Sequence, residues 1–246
     1  MNKLGYAMGQ QVFKDISQGM SPTFSLLDRE WDQLEGVFGG DFVWASGLYA
    51  SWLPVEEAES FLEIGSGNGL ASVLAALRGC AWVTAVDINP AAVDNTRINA
   101  QRHGVSDQVR VLESDLFSAI GEDETFDLIY WDSPFIEAPL AWSPTIPLEY
   151  AFFDPGYAMH RNFLRAAPAH LTDRGRIFLG FSNSMGNANL LYQFAHENEL
   201  QGNVYNEHLF SVPSSELGPS PEFAAHADAE GLVHLDFTLI EFRRNR

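Results

Sequence analysis

Cysteine is almost absent from this sequence, and long apolar runs are missing altogether. The only cysteine is Cys80, so no disulfide can form within the chain, as is typical of proteins in a reducing compartment. No segment has the roughly 20 consecutive apolar residues that a membrane-spanning helix needs. Lys3 is not followed by the apolar stretch of a signal peptide. We therefore expect a cytoplasmic protein without a membrane partner.

Basic residues and metal-ligand patterns are also scarce. The 246 residues include 33 acidic and 14 basic side chains, which gives a formal net charge of −19. A field of this sign repels the phosphate backbone of DNA and RNA, so we expect no nucleic-acid partner. The histidines are scattered, and no spacing of His, Cys and Asp predicts a metal site. The length suits one α/β domain with a large core.

The most informative stretch, FLEIGSGNG, covers residues 61–69. Residues 60–64 are mostly apolar and predict a buried strand, while the apolar residues of 70–77 recur at helical spacing. The glycines between them let the backbone approach a ligand closely, because no Cβ stands in the way. Strand, glycine-rich turn and helix in this order are typical of the first unit of a nucleotide-binding α/β sheet.

The spacing of the glycines selects among nucleotide ligands. Leu70 stands where the dinucleotide fingerprint has its third glycine, and the chain has no P-loop motif for a triphosphate. The pattern is instead E-x-G-x-G-x-G, which begins at Glu63. A second predicted strand, residues 82–86, is followed by Asp87, where an acid can accept hydrogen bonds from both ribose hydroxyls.

These two motifs resemble those of the class I S-adenosylmethionine (SAM) dependent methyltransferases. The resemblance implies SAM as cofactor and a doubly wound, Rossmann-like α/β fold. Its seven-stranded sheet would be mostly parallel with an antiparallel last strand and helices on both faces. The glycine loop would pass the methionine part, and Asp115 with the next backbone amide would bind the adenine. An acid at a strand end can also cap a helix, so this alternative for Asp115 stays open. The implied cofactor contacts are Glu63, Gly65, Ser66, Gly67, Asn68, Gly69, Asp87, Ile88, Asp115, Leu116 and Asp132.

A second motif follows the predicted strand of residues 126–131. Asp132-Ser133-Pro134-Phe135 lies at the carboxyl end of that strand, where open α/β sheets bind ligands. It resembles the [N/D/S]-P-P-[Y/F] motif of amino-group methyltransferases, with Ser133 replacing the first proline. The resemblance implies that Asp132 and a backbone carbonyl accept hydrogen bonds from the target nitrogen, while Phe135 stacks on the target. A strand-ending turn with a buried phenylalanine is the alternative.

Aromatic segments flank these motifs on both sides. We predict that residues 1–57 form a helical, aromatic preface that covers the site, and that residues 58–246 form the catalytic domain. The proline-rich segment 133–157 is interpreted as a lid, with a surface arm or a dimer contact as the alternative. The expected catalytic residues are Asp132, Phe135 and the titratable His160, and the expected substrate contacts are Trp44, Ser46, Trp131, Ser133 and Tyr157.

The sequence favours methyl transfer from SAM to a nitrogen, or less favourably an oxygen, of a small-molecule metabolite by a monomer or homodimer. The protein would align the reactants and exclude water, and Asp132 or His160 would accept a proton from an amine. Three alternatives stay open. They are protein glutamine methylation, attack on the aminobutyrate chain of SAM with release of methylthioadenosine, and SAM binding without catalysis.

Overall fold

The strands expected from apolar runs meet in one seven-stranded sheet in the computed structural model, which describes residues 1–245. The helices are α1 (Lys3–Ile16), α2 (Trp44–Trp52), α3 (Leu70–Leu77), α4 (Pro90–Arg102), α5 (Ala158–Ala166), α6 (Ala188–Glu197) and α7 (Pro221–Ala225). The strands are β1 (Thr23–Leu26), β2 (Arg29–Asp32), β3 (Ser60–Ile64), β4 (Trp82–Asp87), β5 (Val109–Glu113), β6 (Phe126–Asp132), β7 (Ile136–Ala138), β8 (Phe153–Pro155), β9 (Leu171–Phe181), β10 (Leu200–Pro213) and β11 (Leu232–Arg244).

The large sheet has the strand order β10-β11-β9-β6-β3-β4-β5. Its pairs from β9 to β5 are parallel, whereas β11 runs antiparallel to both β9 and β10. The expected fold class, including the antiparallel last strand, is thus confirmed. The chain runs outward in one direction from β3 to β5 and returns to β6 on the other side of β3. This reversal opens a crevice at the carboxyl ends of β3 and β6, where ligands of such sheets bind.

Two apolar cores, one on each face of the sheet, fix the direction in which strand residues point. Along β6, the side chains of Leu128 and Tyr130 belong to the core under α2, α3 and α4. The side chains of Ile129 and Trp131 belong to the core under α5 and α6. Such alternation follows from the two-residue repeat of a strand buried on both faces. Asp132 therefore leaves the sheet on the same face as Tyr130.

The preface contains more regular structure than its sequence predicts. The segment expected to be helical and aromatic contains the helices α1 and α2, together with an antiparallel hairpin of β1 and β2 that was not expected. The hairpin turn uses positive φ at two residues that are not glycine, Leu27 and Asp28. Because the turn lacks the Asn-Gly or Asp-Gly pair that marks a two-residue hairpin, local patterns do not reveal the hairpin.

The segment 133–157 is ordered, although its prolines predict irregular chain. It contains the short parallel strands β7 and β8 and a 3₁₀ helix between them. Its aromatic residues pack on α1, where Phe13 lies edge-on to Phe152 and Tyr6 lies 5.6 Å from Phe153 between ring centroids. The preface and this segment are thus packed together, while the domain division and the interpretation of residues 133–157 as a lid stay predictions.

Residues 174–176, Arg-Gly-Arg, lie within the long strand β9. The ladder between β6 and β9 shifts register near Phe126 and Leu128, so the chain bends without leaving the sheet. Asp127 holds this bend by accepting hydrogen bonds from the Thr172 hydroxyl at 2.8 Å and from the Arg174 guanidinium at 3.1 Å. No helix among residues 1–245 is long and apolar enough to cross a membrane.

Two fully buried asparagines on α4 attach the preface to the sheet domain. Asn95 accepts a hydrogen bond from the Leu34 amide at 2.8 Å and donates to the Asp32 carbonyl at 2.9 Å. Asn99 accepts from the Asp32 amide at 2.8 Å and donates to the same carbonyl at 3.0 Å. Asn99 also donates to the carbonyl of Asn68 in the glycine loop at 2.8 Å. A single side chain therefore connects the end of β2 with the glycine loop.

We expect Asn99→Ala to lower the free energy of unfolding by about 2 to 4 kcal/mol, because the Asp32 amide and the Asn68 carbonyl both lose this partner. Urea unfolding measures this loss. We also expect faster hydrogen exchange at the glycine-loop amides, measured by mass spectrometry. The matched control Asn95→Ala loses contacts to the preface alone, so it should lower stability while the loop stays protected. Equal protection of the loop in both variants would contradict the proposed connection.

Candidate cofactor and acceptor site

A cavity of about 610 Å³ opens at the carboxyl edge of the sheet. Residues that follow β3, β4, β5 and β6 line it on one side, and residues of α1 and α2 line it on the other. Its volume lies in the range of small-ligand sites. The crevice predicted from the strand order is therefore covered by the N-terminal part of the chain.

The glycine loop between β3 and α3 needs its glycines for backbone reasons. Gly65, Gly67 and Gly69 have φ values of 66°, 56° and 82°, a region that other residues seldom adopt. A Cβ at Gly69 would also lie 2.9 Å from the methyl carbon of Thr96. The Thr96 hydroxyl donates to the Gly67 carbonyl at 3.1 Å, which fixes the loop. Gly69 itself starts α3, and the other predicted loop residues line the cavity.

The two acids predicted to flank this loop are both buried. Glu63 accepts hydrogen bonds from the backbone amide of Ser72 at 2.9 Å and from its hydroxyl. Desolvation raises the pKa of Glu63 to about 8. Asp87 accepts from the amides of Gly67 and Asn89, both at 2.9 Å, and burial raises its pKa as well. Both carboxyl groups line the cavity.

The predicted adenine site lies at the end of β5. Asp115, Leu116 and Ile88 all line the cavity, and Asp115 is exposed. Leu116 has a φ of 49°, an unusual value for a leucine. The Ser114 hydroxyl donates to the Leu116 carbonyl at 2.9 Å, which holds this turn. The structure thus brings every predicted cofactor residue except Gly69 to the cavity wall.

Asp132 faces the cavity between the predicted cofactor and acceptor regions. Its carboxylate accepts a 2.5 Å hydrogen bond from the Ser46 hydroxyl of α2. A Cβ at Gly180 would lie 3.0 Å from its Oδ1 and 2.7 Å from the Tyr49 ring, so only glycine fits there. The carboxyl keeps some surface toward the cavity and is otherwise surrounded by protein, and this desolvation raises its pKa to about 6.

The turn after Asp132 is fixed from both sides. Ser133 lines the cavity. Its hydroxyl donates to the Gly180 carbonyl at 2.7 Å and so binds the turn to β9. Tyr157 does not line the cavity, which corrects its prediction as a substrate contact. Its buried hydroxyl donates to the Phe135 carbonyl and accepts from the Asn187 amide at 2.8 Å. Tyr157 is therefore a positioning residue for the Phe135 backbone.

Three aromatic rings predicted for the acceptor region do line the cavity. The Phe135 ring lies between Phe181 and Phe237, with centroid separations of 6.1 and 6.3 Å. Trp44 is partly exposed and lies edge-on to Phe237 at 4.8 Å. Trp131 is buried beside the glycine loop, where a Cβ on Gly65 would lie 3.2 Å from its indole nitrogen. These rings give the acceptor region an apolar wall.

His160 is not part of this site, which corrects its prediction as a catalytic residue. The imidazole is fully buried and does not line the cavity. Its Nδ1 lies 2.7 Å from the carboxylate of Asp154, which also accepts the amides of Met159 and His160 at the start of α5. The ring packs 4.9 Å from Trp131. Because the imidazole is paired with the buried Asp154, it packs inside the fold and has no surface that a substrate could contact.

Sequence patterns did not single out two tyrosines in the cavity wall or the glycine that packs against Asp132. Tyr49 donates from its hydroxyl to the Phe181 carbonyl at 2.6 Å, and Tyr130 lies on the cavity floor. The two-residue repeat of β6 could have indicated Tyr130, since it lies two positions before Asp132. No local signal marks Gly180, whose role depends on the packing of α2 against β9.

Residues 30–146 match the family described as "Methyltransferase small domain". This segment, just under half of the chain, is similar to methyltransferase domains. A release factor glutamine methyltransferase of Chlorobaculum tepidum is 34% identical over 140 residues, 52% of this chain and 47% of that protein. A tRNA1(Val) (adenine(37)-N6)-methyltransferase of Shewanella loihica is 30% identical over 95 residues, 37% of this chain and 39% of that one. This chain spans about half the length of the curated relatives it matches, or less.

The solved structures show the same methyltransferase fold. A T. thermophilus 16S rRNA N2 G1207 methyltransferase, in complex with AdoMet and guanosine, superposes with a TM-score of 0.56 at 19% identity. The match covers 91% of this chain and 50% of that one. The expected resemblance to class I SAM-dependent methyltransferases is therefore confirmed at the level of domain and fold.

The relatives correct the expectation of a small-molecule substrate and of no nucleic-acid partner. One is named for a protein and the other for a tRNA. The expectation failed because formal net charge describes the whole chain, whereas acceptor binding depends on the local surface around a site. The resemblance in the second motif concerns how a nitrogen is held, and it carries no information about the size of the acceptor.

We expect the Asp132→Asn variant to be more stable than the wild type, by a difference in unfolding free energy that increases as the pH rises from 4 to about 7. The folded-state pKa of Asp132 is about 6 and its ordinary value is 3.8, so the folded state binds more protons than the unfolded state between these values. The free energy of unfolding of the wild type therefore falls with rising pH, and this carboxyl group accounts for about 3 kcal/mol of that fall in total. Urea unfolding across this range tests it, with Asp107→Asn as the control for loss of an exposed carboxylate. A pH-independent difference between wild type and Asp132→Asn would contradict the assignment.

Proposed function

We propose that this protein transfers the methyl group of SAM to the side-chain amide nitrogen of a glutamine in a partner protein. The observation that carries this proposal is the fixed turn of Asp132 and Phe135, which lines the same cavity as the glycine loop and leaves the sheet beside it. The loop and the turn provide adjoining places for a methyl donor and a nitrogen acceptor. This chain spans about half of its relative from Chlorobaculum tepidum.

The cofactor half of the cavity suits SAM in shape and in charge. Backbone of the glycine loop can approach the amino-acid part closely, because no side chain intervenes. Asp87 keeps lone pairs for the ribose hydroxyls beside its two amide contacts, and Asp115 faces the cavity where an adenine amino group would lie. The buried acids Glu63 and Asp132 favour the positive charges of the sulfonium and ammonium groups.

The acceptor half suits a planar amide. Asp132 can accept one N–H of the amide, and a backbone carbonyl of the turn can accept the other. Phe135 offers a ring face against which a flat group can pack. Accepting both N–H groups increases electron density on the nitrogen, and the fixed turn aligns it with the methyl group, which supplies much of the rate enhancement for such a reaction. The Ser46 hydroxyl keeps the Asp132 carboxylate in place.

The Chlorobaculum tepidum relative, which is named as a release factor glutamine methyltransferase, supports a protein as the acceptor. A bacterial release factor is therefore the first acceptor to examine.

We expect the protein to methylate a glutamine when it is incubated with a bacterial release factor and SAM carrying a deuterated methyl group. Peptide mass spectrometry locates the label, and Asp132→Ala should lower the rate about 100-fold through loss of alignment. Label on lysine would assign an amine acceptor instead, and label on added tRNA would assign a nucleic acid. Methylthioadenosine that forms without methylated product would refute methyl transfer.

We expect Asp115→Ala to weaken SAM binding about 10-fold, as loss of one hydrogen bond to adenine predicts. The side chain is exposed, so the variant should fold normally. Isothermal titration calorimetry measures the affinity, and the exposed Asp107→Ala, outside the cavity, is the matched control. Unchanged affinity of Asp115→Ala would contradict the adenine role, since among the described residues no helix begins directly after Asp115 that its side chain could cap.

A further inference from the structure

One hydroxyl group in the cavity wall has no hydrogen-bond partner within residues 1–245. Tyr130 is only 1% exposed, lines the cavity, and its hydroxyl contacts no donor or acceptor. The nearby Tyr49 differs, because its hydroxyl donates to the Phe181 carbonyl at 2.6 Å. An unpartnered buried hydroxyl destabilises a fold, and such groups are rare enough in native proteins to indicate a functional role.

The groups around this hydroxyl are acids. Tyr130 pairs in register with Glu63 of the neighbouring strand, and Asp132 lies two residues further along β6. The three side chains therefore share one face of the sheet, and we call them the acid pocket. Burial, with the charges of Asp132 and Glu63, raises the pKa of Tyr130 well above its ordinary value. The phenol thus stays protonated and adds hydrogen-bonding capacity without adding charge.

The donors near the acid pocket are already used. The Ser46 hydroxyl donates to Asp132, and the amide and hydroxyl of Ser72 donate to Glu63. Two carboxyl groups and the phenol oxygen can therefore still accept hydrogen bonds from a ligand in the cavity. A ligand carboxylate would be repelled here, whereas a ligand ammonium would be attracted. An ammonium has three N–H groups, which equals the number of side chains in the acid pocket.

We propose that Tyr130 binds the α-ammonium group of SAM, as the third acceptor beside Glu63 and Asp132. The inference rests on the proposed function, since it assumes SAM as the ligand. The phenol oxygen accepts one N–H of the ammonium. The amino-acid end of SAM is thereby held between the glycine loop and β6. This contact positions the sulfonium methyl toward the acceptor turn of Asp132 and Phe135.

The test compares wild type with Tyr130→Phe, which removes the hydroxyl and keeps the ring. We expect the variant to bind SAM about 10-fold more weakly by calorimetry, the usual effect of losing a hydrogen bond to a charged group. Without ligand its melting temperature should be equal or higher, because the lost hydroxyl had no partner. Tyr49→Phe is the contrasting variant. It should melt at a lower temperature, because the buried Phe181 carbonyl loses its donor.

Two analogues of S-adenosylhomocysteine identify the group that Tyr130 contacts. With an analogue that lacks the α-amino group, wild type and Tyr130→Phe should bind equally. With an analogue that lacks the carboxylate, the 10-fold difference should persist. The reverse pattern would overturn the proposal, because it would show that Tyr130 donates to the carboxylate. Equal binding of SAM by both proteins would refute only this inference. Failure of the wild type to bind SAM would refute the proposed function and this inference with it.

Discussion

The parallel pairing of β3 with β6 is the constraint on which the rest of the site depends. Ile64 at the end of β3 stands opposite Trp131, so the glycine loop and the turn that starts at Asp132 leave the sheet side by side. Since side chains alternate along a strand, a shift of one residue in this register would send Asp132 to the opposite face. The glycine loop and the Asp132 turn are therefore adjacent because of one strand pair.

Burial of several acids in a small space is the second property of the site. Glu63, Asp87 and Asp132 all have raised pKa values, and desolvation is the main cause in each case. Hydrogen bonds from Ser72, Gly67 and Ser46 offset only part of the unfavourable free energy of desolvation. A group of destabilised acids facing one cavity is typical of functional sites. It also suits a ligand that brings positive charge, as SAM does.

The cover of the site is built from parts of the chain that are distant in sequence. Helix α2 contributes Ser46 and Trp44, α1 packs on the segment 133–157, and strands β10 and β11 contribute Phe210 and Phe237. The family match ends at residue 146, so β9, β10 and β11 lie outside it. The sequence similarity to known families therefore covers less of the wall near Phe135 than of the wall near the glycine loop. This agrees with one fold that serves different acceptors through different covers.

Local sequence patterns determined the fold class and most of the cofactor half. Apolar runs mark β3, β4, β5 and β6, and glycines and acids at strand ends mark the loops, because each depends on a few neighbouring residues. Three outcomes were decided by tertiary structure alone. Ser46 donates a hydrogen bond to Asp132, 86 positions away in the sequence. His160 pairs with Asp154 inside the fold and not in the site, and Tyr157 supports the turn without facing the cavity. These outcomes depend on which helix packs on which strand, and local spacing carries no information about that packing. Net charge likewise indicated the field around the molecule, but the choice of acceptor depends on the shape and surface of the assembled site.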